Sequence, residues 1–203
     1  LATTSIPIIT IDQRGKHAEF PSIAADAYDG ARGAVKHLIE LGHRRIGYIT
    51  GDERLASAKD RHRAYVDTMA QQGLGRDAAL IVKGDFTQKR GFEGAMRLLA
   101  LADPPTAIFA ANDLSAFGAI AAVREAGLRV PDDISVIGFD DIPTASQFYP
   151  PLTTVRQPIH QIGRAAVNTL LARIAGIEPA SPQVILPTEL ILRASTAACR
   201  SRA

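Results

Sequence analysis

The chain has 203 residues, of which 46% are hydrophobic and 22% are charged, and its formal net charge is +2. This balance is typical of a globular protein, and it excludes wholesale disorder and a strongly basic surface that binds nucleic acid by itself. Charged residues, Gly or Pro interrupt every apolar stretch before it reaches the roughly 18 residues of a membrane span. The single cysteine, Cys199, excludes an internal disulfide and a multi-cysteine metal site. We therefore expect a cytoplasmic protein with no metal and no cofactor.

Six short segments of nearly continuous apolar character predict β-strands. They are rich in β-branched residues and are bounded by Gly, Asp or Pro, which is typical of parallel strands covered on both faces. In chain order these segments are 6–11, 45–50, 79–82, 106–110, 134–139 and 189–192.

Amphipathic stretches between these strands predict helices. In chain order, the first predicted helix ends at Gly42, the second runs from Ser57 through Met69, and the third follows an N-cap at Thr87. The fourth ends at Gly127, and the fifth runs from Pro158 to Gly176. Ser57 and Asp60 have the spacing of a capping box at the start of the second helix. The alternation of strands and helices predicts an α/β fold with parallel sheets flanked by helices.

Carboxylates or amides follow five of the predicted strands. These strand-end segments are Asp12-Gln13, Gly51-Asp52, Gly84-Asp85-Phe86, Asn112-Asp113 and Asp140-Asp141. Each polar residue alone is explained equally well as the N-cap of the next helix. Because ligands of parallel α/β sheets bind beyond the carboxyl ends of the strands, the five together predict a site for a hydroxyl-rich or cationic ligand, or for a metal.

Several longer segments carry a more specific pattern. They are Gly30–Arg32, His37–Ile46 (HLIELGHRRI), Pro105–Asp113 (PTAIFAAND), Gly127–Asp141 (GLRVPDDISVIGFDD), Pro150–Val155 (PPLTTV) and Leu186–Leu190 (LPTEL). In order and spacing these segments resemble the effector-binding region of the LacI/GalR family of bacterial transcription regulators. The resemblance covers nearly the whole chain, begins partway through the family's first lobe, and includes no helix-turn-helix head.

The resemblance implies a two-lobed periplasmic-binding-protein-like fold, with three crossovers between the lobes and a ligand cleft between them. It assigns residues 1–51 plus 157–177 to an N-terminal lobe, which is incomplete, and residues 52–156 plus 178–203 to a C-terminal lobe. An incomplete first lobe is expected to expose a sheet edge and apolar helix faces. The resemblance also implies a homodimer that is not an enzyme, senses a sugar or sugar-like effector, has no membrane partner, and contacts DNA only through the head that this chain lacks.

The family's ligand-binding positions correspond to residues that can hold a polyol. They are Asp12, Gln13, Ser57, Arg61, Phe86, Asn112 and Asp140. Carboxylates accept from adjacent hydroxyls, Arg and Asn donate in planar geometry, and an aromatic ring can cover the C–H face of a sugar or a nucleobase. Simpler explanations are a surface ion pair for Arg61, a core position for Phe86 and a helix cap for Asp140.

Two other functions compete with this interpretation. A periplasmic sugar receptor has the same fold, and fold alone does not separate it from a regulator. A phosphoryl-transfer enzyme could hold Mg²⁺ with Asp12, Asp113, Asp140 and Asp141, although the sequence has no phosphate-cradling loop.

Overall fold

The computed structural model describes residues 6–12, 20–74, 77–179 and 181–200. Within these ranges strands and helices alternate along the chain, which confirms the predicted α/β class. The strands are β1 (Thr10–Ile11), β2 (Ser22–Ala25), β3 (Ile46–Ile49), β4 (Ile81–Val82), β5 (Ala107–Ala110), β6 (Ser135–Ile137), β7 (Thr154–Arg156), β8 (Gln183–Leu186) and β9 (Glu189–Ile191). The helices are α1 (Ala27–Glu40), α2 (Ala56–Gln71), α3 (Gln88–Leu99), α4 (Asp113–Glu125), α5 (Pro143–Gln147) and α6 (Ile159–Ile174).

A four-stranded parallel sheet in the order β4-β3-β5-β6 forms the centre of the larger part of the fold. Tyr48 and Phe109 lie on one face of this sheet and pack with α1 and α2. Their strand neighbours Ile49 and Ile108 lie on the opposite face and pack with α3 and α4. Because helices cover both faces, successive residues of β3 and β5 are all buried, which explains the continuous apolar runs in the sequence.

A three-stranded parallel sheet in the order β1-β2-β8 forms the smaller part, and α6 packs against it. The antiparallel pair of β7 and β9 connects the two sheets, since β7 leads into α6 and β8 leads into β9. Ile11 of β1 is 55% exposed, and Val167 and Leu171 of α6 are 56% and 58% exposed. The expected exposure of a sheet edge and an apolar helix face is therefore confirmed.

Strand pairing differs from the expected division of the chain in two places. The first lobe was expected to extend to residue 51, but β3 pairs with β4 and β5, and α1 packs against α2. Residues 178–203 were expected in the second lobe, but β8 pairs with β2. The chain thus leaves the three-stranded sheet near Asp26, returns to it after Arg156, and leaves it again between Leu186 and Glu189. The sequence does not reveal β2, because its four residues are mostly small and form no long apolar run.

The helices α3 and α4 cross in direct contact through two glycines. A Cβ atom at Gly91 would overlap the backbone of Ser115, and one at Gly118 would overlap the carbonyl oxygen of Gln88. This close crossing brings the N-termini of both helices together at the carboxyl end of the four-stranded sheet. Thr87 caps α3 as predicted, by accepting from the backbone N–H of Arg90 at 3.2 Å. Within the described ranges, none of the helices combines the length and the apolar character needed to cross a membrane.

Candidate ligand-binding site

Among the described residues, four that are not glycine have positive φ, and they lie in the loops that follow the strands. They are Asp12 (φ 48°), Phe86 (φ 72°), Asp140 (φ 119°) and Asp141 (φ 56°). Such conformations cost about 1–3 kcal/mol each and persist only where surrounding contacts hold them. Three of the four belong to the predicted site, so backbone strain is concentrated where the sequence predicts ligand binding.

Arg61 lies on α2 at the centre of this region, and its side chain is only 4% exposed. Its Nη1 donates to the carbonyl oxygen of Ala111 at 2.5 Å, and its Nη2 lies 3.7 Å from Asp140 Oδ1. The guanidinium Cζ lies 3.8 Å from the centroid of the Phe139 ring and 5.7 Å from that of Phe86. Burial lowers the pKa of Arg61, and the nearby Asp140 carboxylate opposes that shift. Arg61 is therefore a buried cation and not the surface residue of the simpler explanation.

The hydrogen bonds of Arg61 are incomplete. Its Nε is buried and has no hydrogen-bond partner among the described residues. A buried donor without an acceptor costs free energy, and the separation of 3.7 Å from Asp140 is too long for a hydrogen bond. Local costs of this kind are expected at functional sites, where the residues are arranged for a ligand and not for stability alone.

Asp140 follows β6 and connects the centre of the site to the crossover that leads into α6. Gln157 Nε2 donates to its Oδ1 at 2.7 Å. Burial raises the pKa of Asp140, whereas Arg61 and the hydrogen bond from Gln157 lower it, and Asp12 raises it further. The side chain remains 25% exposed, so the carboxylate can still accept a further hydrogen bond.

Asp12 and Ser57 join the two sheets by a hydrogen bond. Ser57 Oγ on the first turn of α2 donates to Oδ2 of Asp12, which follows β1, at 2.8 Å. The predicted capping box is therefore wrong: the N-cap is Leu55, whose apolar side chain accepts no hydrogen bond, and the Ser57 hydroxyl donates to Asp12 instead of capping the helix. A cavity of about 190 Å³ lies beside this hydrogen bond, and its polar lining includes Asp12, Ser22, Asp26, Ser57 and Asp60.

A hydrogen bond joins Asn112, at the N-terminus of α4, to Phe86, just before the N-terminus of α3. Asn112 Oδ1 accepts from the backbone N–H of Ser115 at 3.0 Å, which caps α4. Its Nδ2 donates to the carbonyl oxygen of Phe86 at 3.0 Å. The Asn112 side chain thus fixes the loop that carries Phe86, and the structure supports the cap explanation together with a place in the site.

The magnesium alternative adds two carboxylates, Asp113 and Asp141. Both already accept hydrogen bonds from groups of the protein. Asp113 is fully buried; its Oδ1 accepts from Thr154 Oγ1 at 2.5 Å and its Oδ2 accepts from the backbone N–H of Ile142 at 2.9 Å. The Asp141 carboxylate accepts from Arg156 Nε at 2.7 Å and from Arg193 Nη2 at 2.6 Å. These contacts tie β7 and the segment after β9 to the loop that follows β6, and they weaken the magnesium alternative.

Six of the seven predicted residues form one connected cluster. Asp12 contacts Ser57, Ser57 and Arg61 lie one turn apart on α2, and Arg61 approaches both Asp140 and Phe86. Asn112 completes the cluster through its hydrogen bond to Phe86. Gln13, the seventh, lies outside the described residues.

Sequence reasoning missed Gln157 as a support of this cluster, and it named Asp141 only at a strand end and as a possible magnesium ligand. Gln157 contacts Asp140, and Asp141 pairs with Arg156 and Arg193. The available signals were the position of Gln157 at an expected crossover and the repetition of Asp in Asp140-Asp141, but neither identifies a partner without the tertiary fold.

A parallel α/β fold with a polar cluster at the strand ends is typical of small-molecule-binding proteins. A family model described as a periplasmic binding protein-like domain matches residues 35–196. The chain is 38% identical over 192 residues to the HTH-type transcriptional repressor CytR of Escherichia coli K12, which covers 95% of this chain and 56% of that protein. The chain thus spans about half the length of the curated relatives it matches.

Solved structures give the same assignment. The chain superposes on a LacI-family regulatory protein from Chloroflexus aggregans with a TM-score of 0.87 and 36% identity, over 94% of this chain and 68% of the other. It also superposes on the lac repressor dimer bound to operator and the anti-inducer ONPF, with a TM-score of 0.87 and 34% identity, over 96% of this chain and 67% of the other. The chain belongs to the LacI family of transcription regulators, which are not enzymes, and it corresponds to their effector-binding region.

Proposed function

We propose that this chain is the effector-sensing part of a LacI-type regulator and binds a sugar or sugar-like molecule in the cleft between its two sheets. The observation that carries the proposal is the connected cluster built around the buried Arg61. The cluster combines a cation, two partly exposed carboxylates and an aromatic ring. Such a set can accept from vicinal hydroxyls, donate to ring or carbonyl oxygens, and cover an apolar ring face.

The predicted roles follow from this geometry. Asp12 and Asp140 accept hydrogen bonds from ligand hydroxyls on opposite sides, because Asp12 follows the three-stranded sheet and Asp140 the four-stranded sheet. Arg61 balances the negative charge of the two carboxylates, and the hydrogen bond from Gln157 orients Asp140. Phe86 forms one wall, which Asn112 fixes. Gln13, which follows Asp12 in the sequence, stays a predicted ligand contact.

A ligand that touches both sheets binds best when they are closed on it. It therefore shifts the equilibrium between open and closed forms by the difference between its affinities for the two. In the whole protein this shift would change the affinity of a helix-turn-helix head for DNA, with a coupling of about 1–3 kcal/mol. We further propose that the whole protein is a cytoplasmic homodimer; the lac repressor that the chain resembles is a dimer bound to operator and to an anti-inducer.

A thermal-shift panel tests the proposal. D-ribose, D-glucose, glucose 6-phosphate and adenine represent pentoses, hexoses, sugar phosphates and purines. A compound present at 100 times its Kd should stabilise the protein by about 2.7 kcal/mol, which is a clear rise in Tm. The absence of any rise with every class would contradict the proposal.

Calorimetry on two arginine variants then locates the binding site. Arg61→Ala should abolish binding of the compound with the largest thermal shift, because it removes the buried cation that lies beside Asp140 and Phe86. Arg97→Ala is the control, since Arg97 is an exposed arginine in the last turn of α3 and lies outside the cluster. Circular dichroism checks that both variants are folded. Unchanged affinity in Arg61→Ala would remove the cluster from the binding site.

A further inference from the structure

The ring of Phe86 lies directly over Gly51, the residue that closes the strand region of β3. A Cβ atom built on Gly51 would overlap three atoms of that ring, of which the farthest is only 2.7 Å away. Real Cβ atoms essentially never approach other heavy atoms within 3.0 Å. The Phe86 ring therefore occupies space that any other residue at position 51 would fill.

The backbone does not require glycine at this position. Gly42, Gly73, Gly127 and Gly176 have positive φ, where a side chain is strained, but Gly51 is not among the positive-φ glycines. Gly51 is also buried, so solvent exposure does not explain it. The space that Phe86 needs is thus the physical reason for glycine here.

The loop that carries Phe86 is held from three sides. Phe86 itself has a φ of 72°, and its carbonyl oxygen accepts from Asn112 Nδ2. The next residue is fixed by a turn, in which the backbone N–H of Thr87 donates to Asp85 Oδ1 at 3.0 Å. Because the backbone is constrained, a side chain at position 51 would move the ring and not the loop. The overlapped atoms are the far end of the ring, so rotation about the Phe86 side-chain bonds relieves the overlap without unfolding the protein.

We propose that Gly51 is a positioning residue of the ligand site: it lets the Phe86 ring lie against the end of β3, beside Arg61, as a preformed wall of the cleft. This inference rests on the proposed function. The ring centroid lies 5.7 Å from Arg61 Cζ, so displacement of the ring changes the surroundings of the central cation as well as the wall. An aromatic wall that is already in place binds a ring-shaped ligand with a smaller ordering cost.

The test uses Gly51→Ala, Phe86→Ala, the double variant and Gly33→Ala. Gly33 is the control, because a Cβ atom there meets nothing within 4 Å. Calorimetry measures affinity for the compound among D-ribose, D-glucose, glucose 6-phosphate and adenine that gives the largest thermal shift. Gly51→Ala should lose affinity about tenfold, Phe86→Ala by a similar factor, and the double variant no more than Phe86→Ala alone. Wild-type affinity in Gly51→Ala, or a double variant that loses the product of the two single factors, would overturn the proposal.

A second measurement needs no ligand. In protein with isotopically labelled phenylalanine, the NMR signals of the Phe86 ring, assigned by their loss in Phe86→Ala, should shift in Gly51→Ala and stay in place in Gly33→Ala. Unshifted signals in Gly51→Ala would show that Gly51 does not position the ring. If no panel compound binds the unmodified protein, the proposed function fails while this measurement still decides the role of Gly51.

Discussion

Replacement of Asp113 with asparagine should change how the stability of the protein depends on pH. In the folded protein this carboxyl is fully buried, and burial raises its pKa from 3.8 to about 7, although the hydrogen bonds from Thr154 and Ile142 lower it. Asp140 and Asp141 raise it further by charge repulsion. The folded state therefore binds the proton more tightly than the unfolded state does.

The sign follows from that difference. A carboxyl with a raised folded pKa costs nothing well below pH 3.8, destabilises increasingly as the pH rises toward about 7, and reaches a constant penalty above it. Three pKa units correspond to about 4 kcal/mol, of which about 2–3 kcal/mol develops between about pH 5 and pH 8. An asparagine side chain at this position cannot ionise and so lacks this penalty, but it offers one acceptor fewer for the two donors, which costs about 1–3 kcal/mol.

Urea unfolding at several pH values between about 5 and 8 measures this effect. Relative to the unmodified protein, Asp113→Asn should gain about 2–3 kcal/mol of stability from the acid end to the alkaline end, because only the unmodified protein acquires the ionisation penalty. Asp133→Asn is the control, because Arg129 lowers the pKa of Asp133 to about 2 and this carboxylate does not titrate in the measured range. A gap for Asp113→Asn that stays constant with pH would refute the reasoning.

The remaining predictions concern unfolding free energies, measured by urea denaturation at neutral pH. Gly118→Ala should lose about 1–3 kcal/mol, because the added Cβ overlaps a carbonyl oxygen of α3. Gly33→Ala, on an open helix face, should gain up to about 1 kcal/mol. Equal effects of the two variants would contradict the close crossing of α3 and α4. Asp141→Asn should lose about 1.5–3 kcal/mol as the charge shared by two arginines disappears, and a neutral result would mean that these ion pairs do not stabilise the crossovers. Tyr65→Phe removes a hydrogen bond of 2.7 Å to a strand carbonyl and should lose about 1 kcal/mol, while Tyr48→Phe removes a buried hydroxyl that has no partner among the described residues and should not destabilise. The reverse order of these two variants would show that the hydroxyl contacts are assigned incorrectly.

The central sheet was predictable because its strands are buried on both faces. Ile46–Ile49 and Ala107–Ala110 consist entirely of buried residues, so each appears in the sequence as an unbroken apolar run. β8 could not be found in this way, because its residues alternate between exposed and half-buried. β7 could not be found either, because its sequence Thr-Val-Arg forms no apolar run and it pairs with a strand more than thirty positions away.

The division between the sheets was misplaced for a related reason. β2 alone shows that residues after Ala25 leave the three-stranded sheet, and it lacks a clear apolar pattern. Without it, α1 and β3 were assigned to the wrong sheet. Pairing over long sequence distances settles such assignments, and local patterns carry no information about it.

The sequence by itself determined the α/β class and the residues that gather at the strand ends, since both depend on local periodicity and on the polarity of parallel strands. The tertiary structure decided which of these residues contact each other. Ser57 donates to Asp12 and does not cap its own helix, Asn112 fixes Phe86, and Gly51 makes room for the Phe86 ring. Hydrogen bonds and steric fit depend on positions to within a fraction of an ångström between segments far apart in the chain, and only the packed fold supplies those positions.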